Sequence, residues 1–187
     1  MTPTHLLLGV TFAMAIPTTA GLQGAAQAEG DLLLLAATRT STIAKELDDA
    51  ASRSYRVISA AGGPDFNELV VVLEPSAERY QYRLVSTERT STLERELNDA
   101  AQGGYRVVPR AITIKRNASV FSPNNNELLV IMEKPSAAGP AVRYQVLATS
   151  RTGTLQGELR QAQVNGWHLV TLVVRGEVLA ILDRAAD

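Results

Sequence analysis

Apolar and polar positions alternate in three registers along this chain, and each register recurs three times. Leu32 and Leu34, then Tyr82 and Leu84, then Tyr144 and Val146 occupy equivalent positions two residues apart. A period of two predicts a strand with one buried face. The positions between them hold Leu33, Arg83 and Gln145, so Leu33 departs from the alternation in the first copy. Its placement predicts contact with another repeat or another subunit.

A helical period follows. Ile43, Leu47, Ala50 and Ala51 lie on one side of a helix of about three turns. Leu93, Leu97, Ala100 and Ala101 repeat that face, and Leu155, Leu159 and Ala162 repeat it again. Ser91 with Glu94 has the spacing of a capping box; the third copy has Gly153 and Gln156 there. Gly104 and Gly166 stand where a helix ends on a left-handed residue, and Ser54 takes that place in the first copy.

A second strand opens on Tyr55, Tyr105 or Trp167, with Val57, Val107 or Leu169 two residues on. Pro109 cannot donate to a ladder, which predicts an edge strand. A third strand is apolar throughout: Leu69 to Leu73, Leu128 to Met132, Val178 to Leu182. Such runs predict burial on both faces and a central place in the sheet. The expected fold is α+β: three βαββ repeats, each a mainly antiparallel three-stranded sheet in the order 1-3-2 with one helix on one face. The second face of each sheet is expected to meet another repeat.

The repeat itself is centred on Arg89–Val108, which Arg39–Ile58 matches at twelve of twenty positions and Arg151–Val170 more loosely. The joints are Glu74–Glu78 and Pro135–Pro140. This divides the chain into repeats at 29–78, 79–140 and 141–187, after a segment at 1–28. That segment has an apolar run from Leu6 to Ile16, no Lys, Arg, Asp or Glu before Glu29, and a small-residue stretch ending in Ala26-Gln27-Ala28. The run is too short to span a bilayer. It predicts a signal peptide cleaved near Ala28, and a periplasmic or secreted chain with no stable membrane span.

Composition adds exclusions. A net charge of −1 over 187 residues gives no reason to expect nucleic acid as a partner. There is no cysteine, and His168 is the one histidine after the signal segment. These leave no Ser-His-Asp, Cys-His or His-rich metal arrangement. No catalytic residue, metal or cofactor is expected, and the chain is read as a non-enzyme. His168 shares its position with Arg56 and Arg106 and is expected to face solvent.

Two candidate sites remain. Arg39, Arg89 and Arg151 each precede a helix N-terminus, where free N–H groups and the hydroxyls of Thr42, Thr92 and Thr154 could hold an anion. The plainer account is that hydroxyls cap the helix and each arginine pairs with Glu46, Glu96 or Glu158. The second candidate is the long loop of the second repeat, from about Thr113 to Asn126. Lys115, Arg116, Phe121, Asn124 and Asn125 are its candidate partner-binding residues.

Asn165-Gly166-Trp167-His168-Leu169-Val170, with Tyr144 before the helix and Leu182-Asp183-Arg184 at the end, resembles a family of small bacterial βαββ domains with a Gly-Trp-Glu-Leu-Val hallmark. Here His168 replaces the glutamate, and Tyr55 and Tyr105 replace the tryptophan. The resemblance is clearest in the third repeat. It implies the fold and carries over no catalytic residue, since that family has no known function. The expected role is a structural or protein-interaction module of the cell envelope, binding an unknown protein partner or itself. The alternative is a small-ligand or anion-binding protein using the Arg-Thr segments or an inter-repeat cleft.

Overall fold

The computed structural model of the protein describes residues 31–63, 67–116, 126–137 and 139–186. Three βαββ units follow one another. The first is β1 (Leu33–Ala37), α1 (Thr40–Ser52), β2 (Tyr55–Gly62) and β3 (Leu69–Pro75). The second is β4 (Tyr80–Thr87), α2 (Thr90–Gln102), β5 (Arg106–Arg116) and β6 (Asn126–Pro135). The third is β7 (Val142–Thr149), α3 (Thr152–Val164), β8 (His168–Val174) and β9 (Val178–Ala185). Each forms its own antiparallel sheet in the order first, third, second strand. The expected fold class and strand order are both present.

Each helix ends as its sequence dictates. Gly104 and Gly166 adopt φ of 85° and 79°, and Ser54 adopts 62°. Tyr105 N bonds Ala100 O and Gly104 N bonds Ala101 O, the paired contacts of a Schellman stop. Trp167 and Gly166 repeat them on Ala162 and Gln163. The stop turns the chain directly into the second strand, which lies at the sheet edge.

That edge strand is irregular in all three units. Register shifts fall between Val57 and Ser59, between Val107 and Ile112, and between Leu169 and Thr171. Pro109 sits inside the second shift, where a missing N–H costs no ladder bond.

The core has a direction. Leu69, Val71 and Leu73 of β3 point toward α1, as Leu128, Val130 and Met132 of β6 join α2 in one cluster. We call this side forward. On the opposite, backward side of β6, Leu129 and Ile131 are 1% exposed and belong to the core of the first unit. Leu179 and Ile181 of β9 likewise belong to the core of the second. Each unit thus lays its backward face over the forward face of the unit before it.

This arrangement corrects two expectations. The positions expected to be buried in each first strand are backward-facing. Tyr82 is 8% exposed because the first unit receives it, whereas Leu32 and Leu34 are 60% and 62% exposed. Leu33 and Leu35 are buried instead, beneath the first unit's own helix. Likewise Val70 and Val72 of β3 are only half-buried, so its apolar run is not covered on both faces as expected.

Candidate functional site

The three Arg-Thr segments lie one at each helix start and do not converge. Arg39, Arg89 and Arg151 are the N-cap residues, exposed and without a side-chain capping bond. The expected capping box is absent: α2 begins at Thr90, and Glu94 Oε2 accepts a 2.9 Å bond from Val146 N in the third unit. Among the described residues no ion pair joins these arginines to Glu46, Glu96 or Glu158; Arg56 pairs with Glu133, and Lys115 with Glu127. Thr42 and Thr154 are exposed. Thr92 is engaged internally, its hydroxyl 3.1 Å from Arg89 O and 2.8 Å from Thr87 Oγ1.

The start of α2 is also occupied by the third unit. Thr90 Oγ1 donates to Glu177 Oε1 at 2.7 Å and accepts from Arg175 Nη2 at 3.0 Å. Arg175 Nη1 donates further to the carbonyls of Thr87 and Asn126, each at 3.0 Å. The tight turn at Arg175-Gly176-Glu177 therefore brings a carboxylate of the chain itself to a helix N-terminus, where negative charge is favoured.

The loop of the second unit is shorter than the sequence predicts. Ladder pairing continues through Lys115↔Glu127 and Arg116↔Asn126. Lys115 is buried, with Nζ 3.9 Å from Glu127 Oε2, and Arg116 is exposed. Phe121, Asn124 and Asn125 lie outside the described residues. His168 is exposed on β8, as its position predicts.

The most organised polar geometry is at the joints between units. Tyr82 Oη accepts a 2.8 Å bond from Val57 N and lies 3.3 Å from Tyr55 O, to which it donates. Tyr144 Oη accepts a 2.8 Å bond from Val107 N. In both, a tyrosine from the first strand of one unit satisfies an edge-strand amide of the unit before it. Burial raises the pKa of both phenols, Tyr82 strongly and Tyr144 up to about 12, because the ionised form would lose its water. Bonding to the backbone amide partly opposes that rise.

Further contacts fasten each joint. Arg56 makes a two-pronged pair with Glu133, Nη2 to Oε1 at 2.7 Å and Nε to Oε2 at 3.1 Å, and its guanidinium lies over the Tyr80 ring. At the next joint Arg106, the counterpart of Arg56, donates to Pro140 O. Asn98 Oδ1 accepts from Tyr144 N and Nδ2 donates to Tyr144 O, each at 2.9 Å. Asn98 and Glu94 together give the outer edge of β7 the partners that another strand would supply. Sequence reading missed these roles because their partners are in another repeat. The available signal was the tyrosine shared by Tyr82 and Tyr144 but replaced by Leu32.

Among the described residues, the first and third units each leave one face uncovered. On the first unit, Leu32 and Leu34 stand out beside the half-buried Val70 and Val72. On the third, Leu169, Leu172 and Val174 are 47%, 50% and 66% exposed. The corresponding Val57 and Val107, covered by a following unit, are 2% and 7% exposed. The third unit also holds two buried acceptors without partners, Gln145 Oε1 and Glu158 Oε2. Among the described residues, no helix is long and apolar enough to cross a membrane, and no group of acidic or histidine side chains is arranged to hold a metal.

No family model, curated protein or solved structure matches the chain.

Proposed function

We propose that the chain is an exported, non-catalytic structural or protein-interaction module of the cell envelope. The pair of apolar end faces carries this reading. A sheet face bearing Leu32 and Leu34 and an edge strand bearing Leu169, Leu172 and Val174 leave hydrophobic surface in water at opposite ends of a three-unit stack. Contiguous apolar surface of this kind marks interaction sites. The joints inside the chain supply the precedent, because there the same faces are used for contact. Export rests on the Leu6–Ile16 run and the Ala26-Gln27-Ala28 site. The resemblance to small bacterial βαββ domains agrees with a fold used as a module and adds no chemistry.

Two measurements test the reading. Mass spectrometry of the mature protein should find an N-terminus near Glu29; an intact Met1 would refute export by cleavage. Photo-crosslinking residues at positions 34 and 172, used in living cells, should yield adducts, whereas one at the exposed Asp49 should not. No adduct from either end face would overturn the interaction reading.

A further inference from the structure

We propose that the partner of each end face is a second copy of this chain, with the forward face of its third unit receiving the backward face of the next copy's first unit. This rests on the interaction reading above and names the occupant.

The argument is continuity with the two joints already made. Both join unlike faces in the same sense, forward to backward, so the contact is heterologous and leaves one face of each kind unused. The unused faces are the missing halves of a third joint. On the backward side, Val70 and Val72 hold the positions of Leu129 and Ile131 and of Leu179 and Ile181, which follows from the pairing of Leu34 with Val72, Leu84 with Ile131 and Val146 with Ile181. Those four are at most 1% exposed because a preceding unit covers them. On the forward side, Leu159 holds the position of Leu47 and Leu97, which are 1% and 0% exposed, yet Leu159 is only half-buried.

Polar positions follow the same logic. Glu74 occupies the position of Glu133, and His168 that of Arg56, so a third joint sets a hydrogen-bond donor against a carboxylate. Gln156 occupies the position of Glu94 and is exposed on α3. Its carbonyl can accept from the Leu34 amide as Glu94 does from Val146. One element is missing. Leu32 stands where Tyr82 and Tyr144 stand, so the third joint lacks the phenol that binds the edge-strand amide. The joint between copies is therefore weaker than those within a copy and reversible with concentration.

Light scattering and analytical ultracentrifugation of the mature chain test this. The mass of the wild type should rise with concentration. Leu34→Asp and Leu172→Asp, both at exposed positions, should each weaken association by more than about tenfold, since a carboxylate would be buried unpaired. Circular dichroism should show both variants folded. Because each variant keeps one intact face, mixing the two should give a 1:1 complex, an outcome that an isologous contact does not produce. Leu32→Tyr should tighten association by restoring the phenol. A wild type that stays monomeric up to its solubility limit overturns the proposal, as does association unchanged by Leu34→Asp or a variant mixture that stays monomeric. If the wild type is monomeric while crosslinkers at 34 and 172 still capture other proteins, the second copy is wrong and the interaction reading stands. If neither occurs, both fall.

Discussion

Tyr82 Oη lies 2.8 Å from the backbone nitrogen of Val57, twenty-five residues earlier and in the preceding unit. Tyr144 stands in the same relation to Val107. A single side chain thus joins two sheets and satisfies an edge amide that burial has cut off from water.

Removing the hydroxyl tests its contribution. Tyr82→Phe and Tyr144→Phe keep the ring's apolar contact and leave a buried N–H without a partner. Each should destabilise the chain by about 1–3 kcal/mol. The expected signature in urea is a lower midpoint with an unchanged slope, since neither change alters the surface exposed on unfolding. A midpoint equal to that of the wild type would show that water reaches the amide.

The same phenols predict a limit at alkaline pH. Tyr144 keeps its proton to about pH 12 in the folded chain, against 10.0 for an unperturbed phenol. The folded state then binds more protons than the unfolded state between those values. Stability from this source is complete below pH 10 and falls as pH rises through 12. Tyr82 acts in the same direction. Denaturant titrations across this window should show stability declining, with a shallower decline in Tyr144→Phe. An identical decline in wild type and variant would remove Tyr144 as its cause.

Ser54 is the one non-glycine residue at positive φ among the described residues, at 62°. A left-handed conformation costs an ordinary residue about 1–2 kcal/mol, and glycine avoids most of it. Ser54→Gly should raise the thermal midpoint, with a gain of about 1 kcal/mol that the glycine's greater unfolded-state freedom reduces somewhat. An unchanged or lower midpoint would mean that the serine compensates through contacts elsewhere.

Much of the fold was legible because its causes are local. The period of two, the helical period, the left-handed stops and the unbroken apolar third strands can each be read within one unit, and together they led to the observed 1-3-2 order. What the sequence concealed depends on which unit meets which. Leu32 and Tyr82 are equivalent in pattern, yet one is exposed and the other buried, because the first unit's core receives Tyr82. Glu94 has the spacing of a capping residue, but the edge of β7 offers it a partner in the next unit. The candidate arginines were visible as a repeat, whereas the joints require knowing that Tyr144 reaches Val107.

The claim that each unit completes the core of the one before it implies that the chain unfolds as one body. Trp167, the only tryptophan, reports on the third unit, and Leu47 is buried in the first. Leu47→Ala should cost about 2–5 kcal/mol. Guanidinium unfolding followed by Trp167 fluorescence and by far-ultraviolet circular dichroism should give coincident curves for the wild type, and Leu47→Ala should shift both equally. A Trp167 transition that ignores the loss at Leu47, or separates from the circular dichroism curve, would contradict the shared core.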